Sequence, residues 1–190
     1  MSDRTEQSKW AAGAPRLTHF GINVIDIDKM VAFYTRVMGL TVSDRGFSAR
    51  LQGNLAFLTG DPTEHHQLVM VDLRKAGDKG NVNQISFQLN SLAELRAARD
   101  RLAGEGIRLN PVSHGNAWSI YFEDPEGNLI EVYVHSPFHT PQPCGDKLDL
   151  DLDDAEITRR TEARVKSLPG FKSHAEWSAE MAGKLGNPRR

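Results

Sequence analysis

The sequence predicts an α+β protein built from two repeated modules, each made of a strand, a helix and three further strands. Three observations predict this fold: an internal repeat, the alternation of apolar residues at the start of each copy, and apolar residues at helical spacing after them. The stretch LTHFGINVIDIDKMVAFYTRVMGL begins at Leu17 and recurs without a gap 65 residues later as VNQISFQLNSLAELRAARDRLAGE, from Val82. We expect modules at about 16–75 and 81–136, forming a curved mixed sheet that encloses a cavity.

The first element of each copy is a strand with one buried face. Apolar and polar residues alternate in Leu17–Val24 and again in Val82–Leu89, as in strands that are buried on one side. The helix that follows needs an apolar surface, so the apolar positions should lie beneath it. The polar positions, which include His19 in the first copy and Gln84 and Ser86 in the second, should then face the cavity.

Each opening strand leads into an amphipathic helix. Ser91 is a suitable N-cap for the second helix, and Gly39 and Gly104 stand where the two helices should end. The apolar positions at helical spacing are Met30, Phe33, Tyr34 and Val37 in the first helix, and Leu92, Leu95, Ala98 and Leu102 in the second.

Three further strands complete each module. We predict them near 40–43, 49–58 and 67–73 in the first copy, and near 107–111, 119–123 and 129–135 in the second, with DPEGN (Asp124–Asn128) as a turn. A single module would expose one face of its sheet, so we expect the two halves to pack together.

The two ends of the chain differ in character. Residues 1–15 are expected to form a flexible segment, and residues 137–190 an extension with two short helices. Phe138, Phe171 and Trp177 give this extension more apolar surface than a loose tail should carry, so we expect it to pack on the core or on a partner subunit. We therefore predict a homodimer or a larger homo-oligomer.

Composition excludes several classes of protein. A formal net charge of −2 gives no reason to expect nucleic acid or an acidic membrane as partner. The sequence contains no apolar run near the length of about 20 residues that a membrane span needs. The single Cys144 excludes an intrachain disulfide, and the polar N-terminus lacks the apolar core of a signal peptide. These features favour a cytoplasmic enzyme or small-molecule binder.

The repeat places four polar residues at two pairs of equivalent positions. His19 aligns with Gln84, and His66 aligns with Glu131, which stands in an otherwise apolar strand where an unpaired carboxylate is costly to bury. Taken singly, His19 is more simply explained as a hydrogen-bonded interior residue and Glu131 as one that reaches solvent. Together, two histidines and a carboxylate from separate strands match the open ligand set of non-haem Fe(II) oxygenases.

Residues 16–136 resemble the vicinal oxygen chelate superfamily in three respects. These are the order of the helices and strands, the stretch FYTRVMGL after the first strand, and the stretch HGNAWSIYFEDPEGNLIEVY near the end. That superfamily includes glyoxalase I, extradiol dioxygenases, fosfomycin-resistance enzymes and bleomycin-binding proteins. EHHQLVMV, SIYFEDPEGN and IEVYV are most similar to extradiol dioxygenases, which cleave catechols. The resemblance implies a catecholic substrate, O2 as co-substrate and a role in aromatic compound catabolism.

The resemblance also implies roles for individual residues. Metal ligands are implied at His19, Gln84 and Glu131, with Fe(II) as the metal and Mn(II) or Zn(II) as alternatives. Catalytic roles are implied for three further residues: His66 as acid–base group, Tyr121 as hydroxyl donor, and His114 as another active-site histidine. A turn-capping role before Gly115 explains His114 equally well.

Gln84 departs from the family pattern, because the middle metal ligand of extradiol dioxygenases is a histidine. Three interpretations remain open. The metal is held more weakly by His19, Gln84 and Glu131, or His66 takes over as a ligand, or the metal is lost and the cavity binds a small molecule. The alternative enzyme class for this protein is a glyoxalase-like lyase or isomerase.

Overall fold

The structure is a computed structural model that describes residues 17–80 and 82–185, and it confirms the α+β fold with two βαβββ modules. The segment 1–15 lies outside the described residues. The first module contains β1 (Phe20–Asn23), α1 (Ile27–Arg36), β2 (Thr41–Ser48), β3 (Gly53–Thr59) and β4 (Leu68–Val71). The second contains β5 (Ile85–Gln88), α2 (Leu92–Gly104), β6 (Asn110–Ser113), β7 (Ala117–Glu123) and β8 (Leu129–His135).

The chain continues after β8 with short strands and two helices: β9 (Phe138–His139), β10 (Asp146–Lys147), α3 (Asp154–Val165), β11 (Lys172–Ser173) and α4 (His174–Leu185). Within the described ranges, no helix combines the length and apolar character needed to cross a membrane.

The modules form two separate open sheets. The first has the strand order β1-β4-β3-β2, and the second has the order β10-β6-β7-β8-β5. In each module the opening strand pairs in parallel with the last strand, β1 with β4 and β5 with β8. The sequence repeat therefore produces the same local topology twice.

The alternation in β1 and the helical spacing in α1 produce the predicted faces. Ile22 and Val24 are buried, whereas Gly21 and Asn23 are exposed on the opposite side of β1. In α1 the predicted apolar positions Met30, Phe33, Tyr34 and Val37 are buried. Asp26 caps this helix by accepting a hydrogen bond from the backbone N–H of Lys29 at 3.0 Å, and Ser91 caps α2 as predicted, from Glu94 N–H at 3.2 Å.

Several strand boundaries differ from the prediction; β2, for example, continues to Ser48 and β7 begins at Ala117. Two of the differences have a clear local reason. The predicted strand 49–58 begins only at Gly53, because the residues before it form a turn in which Gln52 has φ 55° and its N–H donates to the Ser48 carbonyl at 2.7 Å. β6 begins at Asn110, because Ile107 N–H still donates to Leu102 of α2 at 3.1 Å.

The two modules pack through α1 and the turn between β7 and β8. The buried Asp124 accepts a hydrogen bond from the Tyr34 hydroxyl of α1 at 3.0 Å. Glu126 accepts from the backbone N–H groups of Ile25 and Asp26, both at 2.8 Å, at the start of α1, where a helix favours negative charge. The hydrophobic core is continuous across both modules.

The C-terminal extension packs on the second module of its own chain. β10 extends the second sheet beside β6, and Trp118 Nε1 donates to Thr161 of α3 at 2.9 Å. The rings of Phe138 and Phe171 have centroids 6.0 Å apart. Four apolar residues of the extension join the buried interior: Leu148, Leu150, Ile157 and Val165. The apolar residues that suggested a partner subunit thus find neighbours within the chain.

Candidate active site

A buried carboxylate surrounded by neutral donors forms the centre of the candidate site. Glu131 lies on β8 and is 7% exposed. Its Oε2 accepts from Ser86 Oγ at 2.6 Å and from Gln84 Nε2 at 3.1 Å, and its Oε1 accepts from the Tyr121 hydroxyl at 2.6 Å. Neutral donors solvate a carboxylate without cancelling its charge. The arrangement is therefore suited to a cation that approaches from the open face.

The strand register explains why these side chains meet. Ser86 stands beside Glu131 in the parallel β5–β8 pair, and Tyr121 stands opposite it in the antiparallel β7–β8 pair. Facing residues on adjacent strands have side chains on the same side of the sheet. The predicted cavity-facing positions Gln84, Ser86 and Glu131 consequently form one cluster.

Tyr121 is also linked to His114 and, through it, to the C-terminal extension. His114 Nε2 lies 2.9 Å from the Tyr121 hydroxyl, and its Nδ1 lies 2.8 Å from the carbonyl oxygen of Cys144. Gln142 Nε2 donates to the His114 carbonyl at 2.8 Å. The loop 141–145 therefore sets the orientation of the imidazole.

The hydrogen-bond partners limit where the protons of His114 and Tyr121 can lie. The Cys144 carbonyl can only accept, so Nδ1 of His114 carries a proton. Tyr121 has one hydroxyl proton to share between Glu131 and His114. Partial burial and the hydrogen bond to Glu131 raise the pKa of Tyr121 above its usual value, so the hydroxyl keeps that proton.

The second cluster consists of histidines on the first sheet. His19 immediately precedes β1 and His66 lies just before β4, with ring centroids 4.4 Å apart. Thr18 Oγ1 lies 3.1 Å from His19 Nδ1, and the Nδ1 atoms of His65 and His66 are 2.9 Å apart. Phe57 packs edge-on against His66 with centroids 5.1 Å apart.

The environment of His66 favours its neutral form. Partial burial, followed by the neighbouring imidazoles of His19 and His65, holds the pKa of His66 below its usual value. A neutral imidazole can accept a proton or bind a metal ion. Either role proposed for His66 is compatible with this environment.

The structure pairs the sequence-predicted residues differently from the repeat. The repeat aligns His19 with Gln84 and His66 with Glu131, whereas the fold joins His19 to His66 and Gln84 to Glu131. Across 17–80 and 82–185, no three His, Cys, Asp or Glu side chains lie close enough together to hold a metal ion. Within one chain, the candidate metal ligands thus form two pairs, His19 with His66 on the first sheet and Gln84 with Glu131 on the second.

Sequence reasoning missed several contacts of the site. Ser86 was predicted to face the cavity but received no role, although its hydroxyl makes a 2.6 Å contact with Glu131. His65 stands next to His66 in the sequence and could have been found from that adjacency. The Cys144 carbonyl and Gln142 carry no sequence signal, because they act from an irregular loop whose path depends on tertiary packing.

The family described as the Glyoxalase/Bleomycin resistance protein/Dioxygenase superfamily matches residues 16–132. The chain belongs to this superfamily. It is 24% identical over 190 residues to biphenyl-2,3-diol 1,2-dioxygenase 2 of Rhodococcus globerulus, covering 92% of this chain and 95% of that one. It is 25% identical over 129 residues to a probable lactoylglutathione lyase of Vibrio cholerae, covering 65% and 94%.

A solved structure shows the same fold. The genomically encoded fosfomycin resistance protein FosX of Listeria monocytogenes, in complex with Mn(II) and sulfate, matches with a TM-score of 0.51 and 19% identity, covering 65% of this chain and 94% of that one. The proteins similar to this chain thus include a dioxygenase, a probable lyase and, by fold, a resistance protein.

The donors of the two pairs fit a divalent metal ion by their chemistry. His19 and His66 offer two imidazoles, and Glu131 offers a carboxylate whose described partners are all neutral. Nε2 of Gln84 donates to Ser86 and Glu131, and its amide oxygen has no hydrogen bond among the described residues. Imidazole nitrogen and carboxylate oxygen are common ligands of iron, manganese and zinc.

Proposed function

We propose that this protein is a metal-dependent extradiol-type dioxygenase that cleaves a catecholic aromatic substrate with O2. The observation that carries the proposal is the buried Glu131 carboxylate, which three neutral donors hold on an open sheet face. The dioxygenase relative, which aligns along nearly the whole chain, supports the reaction type.

In this proposal Glu131, His19 and Gln84 are the metal ligands, and Fe(II) is the resident ion. When bound, the ion would polarise the catechol oxygens and pass electron density from the catechol to O2. Gln84 would bind through its amide oxygen while its Nε2 keeps the Glu131 carboxylate in position. An amide is a weaker ligand than imidazole, so we expect weaker metal binding than a histidine at position 84 would give.

The proposed proton-handling groups are His66, Tyr121 and His114. The lowered pKa of His66 keeps its imidazole able to accept a catechol proton near neutral pH. Tyr121 holds its proton on the hydroxyl oxygen next to Glu131, and His114 Nε2 lies 2.9 Å from that oxygen, within reach for proton exchange. Phe57, which packs against His66, adds an aromatic surface for a flat ring.

The test loads the purified protein with Fe(II) without oxygen and then supplies O2 with catechol or biphenyl-2,3-diol. We expect yellow ring-opened product, and we expect Glu131→Ala to lose both the metal and the product. Glu123→Ala, which removes an exposed carboxylate at the end of β7, is the matched control and should retain both. A parent protein that binds Fe(II) but leaves both diols intact would contradict the dioxygenase assignment.

A variant at His66 separates its two possible roles. If His66 is the acid–base group, His66→Gln should keep its metal and lose turnover by about 100-fold or more. If His66 is a ligand, the same variant should lose metal as completely as His19→Ala. The lyase relative makes the hemithioacetal of methylglyoxal and glutathione the appropriate second substrate. Turnover of that substrate alone would reassign the protein to the lyase class.

A further inference from the structure

We infer that a cavity in the C-terminal extension binds a small carboxylic acid with an apolar body, of the benzoate type, and that the bound acid changes the surroundings of His114. The cavity has a volume of about 170 Å³ and lies between α3, β10 and the loop that follows β10. The inference goes beyond the proposed function and does not depend on it, because none of the proposed metal ligands or proton-handling groups lines this cavity.

The cavity stays open because α3 is held by contacts on its other side. Trp118 Nε1 on β7 donates to the hydroxyl of Thr161 at 2.9 Å. Gly115 has a φ of 77°, and a Cβ on this residue would lie 2.7 Å from Cγ1 of Val165. The missing side chain therefore lets the end of α3 approach the β6–β7 turn closely. These contacts fix the helix on the second sheet and leave the space between α3 and β10 unfilled.

The walls of the cavity are mostly apolar. Leu148, Ile157 and Val165 are 5%, 2% and 1% exposed, and Leu152 adds a half-buried side chain. Thr161 also lines the wall, but its hydroxyl donates its proton to the Ile157 carbonyl oxygen at 2.9 Å. A bound water needs about two to four polar partners, which such walls do not offer. An apolar ligand body that takes the place of water in this cavity is therefore favoured.

Two arginines of α3 bring positive charge to the cavity. Arg160 and Arg164 both line it and stand one helical turn apart on the same face. Nε of Arg160 donates to Glu156 at 2.6 Å, and Nε of Arg164 donates to Asp146 at 2.7 Å. Within 17–80 and 82–185, the Nη groups of both arginines make no hydrogen bond. The guanidinium groups are thus oriented through Nε, and their Nη groups remain available to a ligand.

The charges around the cavity favour an anion. Five charged side chains line it, three of them cations and two of them carboxylates: Lys147, Arg160, Arg164, Asp146 and Asp149. Asp146 is already paired with Arg164. Guanidinium groups bind carboxylates through charge-assisted hydrogen bonds. Inorganic phosphate would leave the apolar walls unfilled, and a neutral ring would leave the arginines unused. An acid with one carboxylate and an apolar body satisfies both parts of the cavity.

The cavity shares a wall residue with the contact that orients His114. Cys144 lines the cavity, and its carbonyl oxygen lies 2.8 Å from His114 Nδ1. Gly115, the residue after His114, lines the cavity as well. A bound acid therefore contacts residues on both sides of the imidazole. Because His114 Nε2 lies 2.9 Å from the Tyr121 hydroxyl, the effect of the acid extends to the edge of the candidate active site.

The binding experiment titrates the full chain with 4-fluorobenzoate and follows the ligand by fluorine NMR. We expect saturable binding with a Kd of about a millimolar or tighter. Benzyl alcohol has the apolar body without the charge, and inorganic phosphate has the charge without the apolar body. Each should compete at least about tenfold less well than benzoate. Absence of 4-fluorobenzoate binding, or competition by either compound equal to that of benzoate, would overturn the site.

Variants of the cavity locate the bound acid. The double variant Arg160→Gln/Arg164→Gln removes both guanidinium groups and should weaken binding by about tenfold or more. Leu152→Phe narrows the cavity from its half-buried wall and should also weaken binding. Arg159→Gln is the matched control, because Arg159 also pairs with Glu156 but does not line the cavity, and it should keep the parent affinity. Parent affinity in the double variant would overturn the site, whatever the result for Leu152→Phe.

Two further measurements separate this cavity from the candidate active site. Glu131→Ala should bind 4-fluorobenzoate as the parent does, and a loss of binding in this variant would place the acid at Glu131 and overturn the inference. The ring signals of His114, assigned by comparison with His114→Gln, should shift when the acid binds to the parent and stay in place in the double arginine variant. Unchanged His114 signals at saturation would overturn the effect on His114. None of these readouts requires turnover, so their outcomes are independent of the proposed dioxygenase activity.

Discussion

Tyr121 and Glu131 stand directly opposite each other on β7 and β8, and the tyrosine hydroxyl donates to the carboxylate across 2.6 Å. The same hydroxyl lies 2.9 Å from His114, which the C-terminal extension holds through the Cys144 carbonyl. A segment outside the matched family region, 16–132, therefore contacts the candidate site through two intermediate side chains. The orientation of Glu131 depends on contacts that the module repeat does not contain.

Removal of the Tyr121 hydroxyl should impair turnover more than metal binding. In Tyr121→Phe, Glu131 retains its contacts with Gln84 and Ser86, so the metal stays, but the proton next to the carboxylate is gone. We expect a fall in kcat of about 100-fold or more, measured on Fe(II)-loaded protein. Tyr133→Phe is the control, because that hydroxyl makes only a 3.4 Å contact with Gln88. Equal kcat for Tyr121→Phe and the parent would exclude Tyr121 as a proton donor.

Replacement of Gln84 with histidine should strengthen metal binding. The change supplies an imidazole nitrogen and removes the 3.1 Å hydrogen bond from Gln84 to Glu131, which also leaves the carboxylate freer to bind a cation. We expect Fe(II) affinity to rise by about tenfold or more, measured by competition with a chelator. Gln88→His is the control, because the Gln88 side chain contacts Tyr133 and not Glu131, and it should leave the affinity unchanged. A Gln84→His protein with parent affinity would remove position 84 from the ligand set.

Loss of the Glu126 carboxylate should destabilise the packing between the modules. Its side chain is 4% exposed and accepts hydrogen bonds from the first backbone N–H groups of the α1 region, while Arg74 lies 3.7 Å away. Glu126→Ala removes the charged acceptor of these N–H groups, which should lower the free energy of unfolding by about 1–3 kcal/mol. Urea denaturation measures this change, with Glu126→Gln expected in between because it keeps an acceptor oxygen. Glu123→Ala should have no measurable effect, and an equal loss of stability in both alanine variants would show that the Glu126 hydrogen bonds do not stabilise the packing of the modules.

Acidic pH should loosen the contact between β8 and α4. His135 and His174 have ring centroids 4.9 Å apart, and burial followed by the His174 charge holds the pKa of His135 below its usual value. The unfolded chain therefore takes up this proton at higher pH than the folded chain does, so the contribution to stability is present above the usual histidine pKa. It is lost as the pH falls from there through the lowered folded value.

Hydrogen exchange of residues 172–184 at pH 7.5 and 5.5 tests this expectation. After correction for the slower intrinsic amide exchange at the lower pH, the protection factors of this segment should fall as His135 gains charge. The neighbouring groups also include His139, whose lowered pKa arises from burial first and then from Lys172, while Glu180 opposes the shift. His174→Gln removes the repulsion with His135 and should reduce the pH effect. A parent protein with equal protection factors in this segment at both pH values would contradict the predicted loosening.

Much of the fold could be predicted because periodicity is a local property of the chain. The alternation in β1 assigns Ile22 and Val24 to the core and Asn23 to the open face, and the structure confirms those positions. Helical spacing likewise predicts the buried positions of α1, and Ser91 predicts the start of α2. These features depend on a few neighbouring residues and on the geometry of a strand or a helix, so the sequence contains them in full.

The arrangement of the candidate site depends on which strands and faces meet, and the tertiary structure alone decides that. The repeat relates His19 to Gln84 by position, but the parallel pairing of β1 with β4 brings His19 to His66 instead. Glu126 and the Cys144 carbonyl act across the chain from a turn and an irregular loop, where no periodic pattern marks them. The sequence therefore determined which side chains share a face of each strand, whereas long-range strand pairing and packing determined which of those side chains come into contact.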